Sequence, residues 1–410
     1  MVARWPFPIL LTVVFITPTL AQGPKREAVE TILNEALPIG RLDIAKERLV
    51  DHLAQDPQDS HAQYGLGLVS VLESVRNLGQ NLHRYGLRPT MQQIPILRLP
   101  VPENPNPEPI THENYNALLQ QFIDDLSQAA RVLEQVTDDN VKLKVKVGMI
   151  RLDLDGNGHA DEDETFWKIF TSVAWRAAKL GDEEKEFPIG FDRADVHWLI
   201  GYTHLLRGMV EAWLAYDTRE FFALLAPTFF SGASRESPLT PGGAGFDPNS
   251  IADAIAAIHL INFELDDASR MFASRRHLLA MIAQSRLVWE YALKETDDDR
   301  EWIPNAQQTS LTPLRVTEQQ IQGWRQFQDE AEAVLNGERL LPHWRIKKKG
   351  LGINLQKVFD EPREFDLVLW LHGVGVLPFV EEGDVVSDAT ARSIGAAFQG
   401  RFLAFAVWFQ

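Results

Sequence analysis

Apolar residues return every three or four positions over most of this chain, and that spacing leaves few choices of fold. It holds in segments 26–37, 43–54, 112–136, 164–179, 192–215, 249–264, 266–295 and 317–336. With 3.6 residues per turn it gathers the apolar side chains into one stripe along a helix. Helices of this kind bury their stripes against one another, so the pattern predicts a mainly α, multi-helical protein. Start and stop signals agree with it. Thr317 and Gln320 form a capping box, Asp247 before Pro248 supplies an N-cap and a first-turn proline, and Gly181 and Gly337 stand where helices are expected to stop.

A few stretches depart from the helical period. Pro95, Pro100, Pro102, Pro105, Pro107 and Pro109 exclude helix and central strand, because proline lacks the N–H that either would need. They predict a semi-rigid connector over 94–111, between an N-terminal region (22–93) and a helical domain (112–410). Ser231–Gly245, rich in glycine and serine, reads as an irregular loop, either surface or lid. Val141, Leu143, Val145 and Val147 alternate with Lys142, Lys144 and Lys146, the period of a half-buried strand. Phe365–Val380 and Phe402–Phe409 are apolar and aromatic and are expected in the core.

Residues 1–21 read as a signal peptide: Arg4 precedes an apolar run from Trp5 to Ile16, and Thr19-Leu20-Ala21 resembles a cleavage site. The run is short of the roughly 20 apolar residues a membrane span needs. Leu367–Val380, the best later candidate, is broken by His372, Gly373, Gly375 and Pro378. No span is therefore expected after signal removal, and the location implied is periplasmic or secreted. The absence of cysteine removes disulfides, thiolate metal sites and a cysteine nucleophile, and export without disulfides suits a bacterial envelope. A formal charge of −17 argues against nucleic acid as a partner.

The run from Asp153 to Glu164, Asp-Leu-Asp-Gly-Asn-Gly-His-Ala-Asp-Glu-Asp-Glu, offers oxygen at intervals that suit a hard cation. Calcium takes six to eight oxygens at roughly 2.3–2.6 Å. Asp153, Asp155 and Asn157 supply side-chain oxygens at the first, third and fifth places, and Gly158 permits the sharp turn. The backbone carbonyl of His159 follows, Asp161 contributes directly or through water, and Glu164 closes the set with both carboxylate oxygens. This run resembles the EF-hand calcium loop, and the resemblance implies Ca²⁺ as the ligand. Two features differ from that family: Ala160 replaces the usual aliphatic at the eighth place, and the entering element reads as a strand. No second loop of the type occurs, so the expected role is to pin a strand to a helix rather than to act as a paired sensor. An affinity on the order of 10⁻⁴–10⁻³ M is expected, as in extracellular modules.

Near the N-terminus, Gly40, Ala45, Leu49, Pro57 and Leu66-Gly67 follow a spacing similar to the tetratricopeptide repeat over about one and a half units. His52 stands where a second small residue belongs, and the pattern dissolves over Ser70–Arg88. The fold expected is thus multi-helical, with a tetratricopeptide-like N-terminal hairpin and a short strand leading into the EF-hand-type loop.

His197, His204 and Glu211 recur every seven residues on one predicted helix face. Neighbours are then roughly 10.5 Å apart, too far to share a metal without a second helix. The signatures HExxH, GxSxG, GxxxxGK[ST] and GxGxxG are absent. Two functions remain in view. One is a calcium-stabilised helical binding or scaffold protein of the bacterial envelope with a protein or peptide partner. The other is an exported hydrolase or lyase acting on a polymer such as a polysaccharide, with His197, His204 and Glu211 lining a cleft.

Overall fold

The described residues begin with a helical hairpin, α1 (Gln22–Ala36) and α2 (Leu42–Gln55), turned by a short 3₁₀ segment that ends at Gly40 with φ +69°. The structure is a computed structural model that describes residues 22–88, 99–168, 186, 188–233, 251–298, 300–309 and 316–409. Helix α3 (Ser60–Arg84) starts where the Asp59 side chain accepts the N–H groups of His61 and Ala62, satisfying donors that the first helical turn leaves open. It runs unbroken as far as Arg84, through most of the residues over which the repeat spacing is lost.

α4 (His112–Leu133) packs along α3. A Cβ at Gly67 would lie 2.4 Å from Leu133 Cδ2, so the missing side chain sets that close approach. The proline-rich segment between these helices has no helix or strand over its described part, as its composition requires, and Val101 and Ile110 are buried in a cluster with Leu82, Leu87 and Phe230.

β1 (Leu143–Lys146) pairs antiparallel with β2 (Pro188–Phe191), Leu143 opposite Phe191. Leu143 and Val145 are buried and Lys144 and Lys146 exposed, the alternation read from the sequence. Its outer edge is closed by α1: Lys144 N donates to Glu30 Oε1 and Lys146 N to Asn34 Oδ1, which removes an open strand edge.

After β2 come α5 (Arg193–Leu214), β3 (Tyr216–Asp217), α6 (Arg219–Phe229), α7 (Ile251–Leu260), β4 (Asn262–Leu265) and α8 (Ala268–Ala292). Helices α5 and α8 form the most extensive helix pair. Gly201 and Gly208 face Gln284 and His277 of α8. The remaining elements are α9 (Glu318–Leu335), β5 (Leu351–Ile353), α10 (Leu355–Asp360), β6 (Phe365–Asp366), α11 (Leu367–His372), β7 (Val380–Glu382), α12 (Asp388–Phe398) and α13 (Phe402–Phe409). Strands β3, β4 and β6 make a three-stranded sheet in that order, and β5 pairs with β7.

The fold is mainly helical, as the periodicity predicts. The Thr317–Gln320 capping box and the positive φ of Gly337 fall where expected. The expected helix over 249–264 is corrected: it stops at Leu260, and Asn262–Leu265 forms β4 against Tyr216–Asp217 and Phe365–Asp366. A short apolar run fits either element, and pairing partners far along the chain decide it. The expectation of core burial holds for Phe379 and Phe405 but not for Leu371 and Leu377, which are 59% and 60% exposed. α11 is a six-residue helix ended by Gly373, too short to turn all its apolar residues onto one buried side. Gly181, Asp247-Pro248 and most of Ser231–Gly245 lie outside the described residues.

One core joins both ends of the chain. Leu33, Leu49 and Tyr64 from the N-terminal helices share it with Leu143, Ile189, Trp289, Trp324, Phe398 and Phe405. Among the described residues, no helix is long and apolar enough to cross a membrane.

Candidate metal centre

After β1 a 3₁₀ turn, Val147–Met149, leads to the acidic loop, and beyond it Ile150, Leu152 and Leu154 are buried while Arg151, Asp153 and Asp155 are partly exposed. That alternation anchors one side of the strand in the core and leaves the carboxylates outside. A short antiparallel pairing closes the loop: Leu152 N donates to the Glu164 carbonyl and Phe166 N to the Ile150 carbonyl. Helical residues follow at 166–168, and Ile169 and Phe170 lie outside the described residues.

Three of the residues singled out from sequence are brought together. One oxygen from each of Asp153, Asp155 and Glu164 lies within 4.8 Å of the other two. Asp153 Oδ1 accepts Gly156 N at 2.8 Å, and Oδ2 accepts Gly158 N at 3.1 Å. Gly156 and Gly158 have φ of +74° and +85°, a region that a β-carbon penalises. Asn157 donates its amide to Asp155 Oδ2 and accepts His159 N at Oδ1. The His159 side chain is exposed. Asp161 stands outside the close group, and its N–H donates to Glu164 Oε2 at 2.8 Å.

Glu164 is the buried member, 2% exposed, and its Oε1 accepts Leu154 N at 2.7 Å. Desolvation pushes its carboxyl up from the usual range, the Asp161 and Leu154 N–H groups pull it back, and the nearby charges of Asp155 and Asp153 push it up again. Three carboxylates this close repel one another. A cation at their centre relieves the repulsion, and their geometry suits an oxygen-seeking one.

The loop rests on the N-terminal helices. Arg151 N donates to the Leu37 carbonyl at 3.0 Å, and Gln80 Nε2 donates to the Asp153 carbonyl at 2.8 Å. A Cβ on Gly40 would lie 2.4 Å from Ala160 Cβ, and one on Gly79 would lie 2.5 Å from Leu154 Cδ2. Ala160, the small residue at the eighth place, thus abuts the turn between α1 and α2.

His197, His204 and Glu211 do share one face of α5, and the second helix they required is α8. It does not collect them into one site. Instead each meets its own partner: His197 Nδ1 and Gln284 Oε1 at 2.7 Å, His204 Nδ1 and His277 Nδ1 at 2.9 Å, and Arg270 Nη1 donating to Glu211 Oε2 at 2.8 Å. The partners also recur every seven residues, in the opposite direction, as an antiparallel pair demands. Burial, with Arg207 close by, pushes both His204 and His277 down to about 4. This ladder pairs polar groups between two helices one by one and lends no support to a catalytic cleft.

A second carboxylate group escaped the sequence reading. Oxygens of Asp192, Glu295 and Glu301 lie within 4.8 Å of one another. Asp192 caps α5, accepting Ala194 N, while Asp195 Oδ2 accepts Asp192 N at 2.9 Å. Burial pushes Asp195 well above the usual carboxylate range, helped by the charge of Asp192; burial and a hydrogen bond with Asp192 do the same for Glu295. The Asp192/Asp195 capping pair is legible in sequence; its meeting with residues a hundred positions away is not.

Comparison with protein-family models, with curated proteins and with solved structures finds no match to this chain.

Proposed function

We propose that this chain is an exported calcium-binding protein of the bacterial envelope, periplasmic or secreted, acting as a helical binding or scaffold protein. One Ca²⁺ is held in the 153–164 loop by Asp153, Asp155, Asn157, the His159 carbonyl, Asp161 and Glu164. The observation that carries the proposal is the convergence of Asp153, Asp155 and Glu164 within 4.8 Å on a loop with glycines in left-handed conformation. The role is structural. An ion there stiffens the loop that supports the α1–α2 turn through Leu37 and Gly40 and contacts α3 through Gly79 and Gln80. The surface proposed for the partner is a polar cleft of about 270 Å³ lined by Lys46, Ser70, Glu73, Arg76, Asn77 and Asp125 of α2, α3 and α4, where Lys46 is paired with Glu73 and Asn77 with Asp125.

The test is calorimetry and thermal melting of the purified chain beside its Glu164→Gln variant, with calcium or with chelator. A ligand at 100 times its Kd stabilises by about 2.7 kcal/mol, so calcium raises the wild-type midpoint and the variant loses the part of that increment contributed by the loop ion. Identical wild-type melting curves in calcium and chelator would refute the structural ion. A pull-down from envelope extract, with and without calcium, tests the partner.

A further inference from the structure

We propose that Asp192, Glu295 and Glu301 form a second, buried site for a hard divalent cation, at the start of α5 and the segment after α8, with the Asp195 carboxylate and the Tyr64 hydroxyl of α3 on its wall. This site is independent of the 153–164 loop. It lies in the interior: Asp192, Asp195 and Glu301 are 8%, 1% and 1% exposed.

Distance supports a single ion. Ligands on opposite sides of a calcium ion are about 4.8 Å apart, twice a Ca–O bond of roughly 2.4 Å, and the Asp192, Glu295 and Glu301 oxygens all lie within 4.8 Å of one another. Charge supports it too. Lys142 Nζ lies 3.8 Å from Glu301 Oε1 but only 2.7 Å from Asp297 Oδ2, so its ammonium is shared with a carboxylate outside the group. Removing carboxylates from water costs several kcal/mol each unless something compensates, and a divalent cation compensates two charges at once.

The independent observation is a pair of buried polar atoms. Asp195 Oδ1 and the Tyr64 hydroxyl, on side chains 1% and 0% exposed, have no hydrogen-bond partner among the described residues. Both belong to this neighbourhood: Asp195 Oδ2 accepts the Asp192 N–H at 2.9 Å, and the Tyr64 ring lies 6.5 Å from that of Phe191, the residue before Asp192. Buried polar atoms rarely go without partners. Two at one place, beside three converging carboxylates, mark a position for an oxygen-seeking ligand. The N-terminus of the 22-residue α5 adds a positive dipole end beside the group.

The ligands come from segments far apart in sequence, so this ion binds only the folded chain and ties the start of α5 to the segment after α8. The experiment uses the full chain in four forms: wild type, Glu164→Gln, Glu301→Gln and the double variant. Calcium uptake is read by calorimetry, and terbium, as a calcium substitute, by luminescence sensitised through nearby aromatic residues. The expected result is that Glu164→Gln retains one ion and the double variant none. A Glu164→Gln chain that takes up neither calcium nor terbium at millimolar concentration overturns the proposal, leaving a group neutralised by protons or bridged by water. That arm alters no residue of the buried site, so it stands even if Glu301→Gln fails to fold. Failure of the loop site reads out separately, as an unchanged stoichiometry between wild type and Glu164→Gln.

Discussion

Leu154 and Gly79 offer a direct measure of how firmly the acidic loop is seated on α3. Leu154 is fully buried, and its Cδ2 occupies the space where a Cβ on Gly79 would fall, at 2.5 Å. Leu154→Ala removes three carbon groups, about 2.4 kcal/mol at 0.8 kcal/mol each. The cavity adds to this, because Gly79 has no side chain to fill it, giving about 3–4 kcal/mol in total. Gly79→Ala alone gains about 1 kcal/mol of helix propensity but overpacks against Leu154 at a cost of about 1–3 kcal/mol. Together the two changes relieve each other, since only Leu154 Cβ, at 3.4 Å, then faces the new methyl group. A double-mutant cycle in urea, followed by tryptophan fluorescence in chelator, should therefore return a favourable coupling of about 1–3 kcal/mol. Additivity to within about 0.5 kcal/mol would mean the loop does not bear on α3, and the structural role of a bound ion would lose its basis.

Other outcomes follow from the same packing. Gly40→Val combines a β-branched side chain at φ +69° with a clash against Ala160; it should cost at least about 1–2 kcal/mol and weaken calcium uptake measured by calorimetry. Arg270→Ala removes hydrogen bonds to Glu211 and to Gln120, both at 2.8 Å, and should lower stability by about 2 kcal/mol without altering metal stoichiometry. The His204/His277 pair carries a pH signature. Its folded values sit near 4, below about 6.5 in the unfolded chain, so the unfolded state takes up protons first and stability falls as pH drops from about 6.5 through about 4. Melting curves of wild type and His277→Asn across that range should converge on acidification. Asp195 and Glu295, pushed upward, act with the opposite sign in both proteins and cancel from the comparison.

What the sequence determined by itself was local. Helix periodicity, the Thr317 cap, the alternation of β1 and the order of oxygen donors from Asp153 to Glu164 are all set by residues within a turn or two of each other, where backbone geometry fixes which side chains can meet. The seven-residue spacing of His197, His204 and Glu211 was equally legible, but not its meaning. Only the tertiary structure supplied Gln284, His277 and Arg270 as separate partners, from a helix running the other way. It likewise set Ala160 against Gly40, turned 262–265 into a strand, left Leu371 and Leu377 at the surface, and gathered Asp192 with Glu295 and Glu301. The physical reason is the same in each case. Contacts between residues a hundred positions apart depend on how whole elements pack, and packing is decided by the apolar area and polar partners available across the molecule, which no short window of sequence contains.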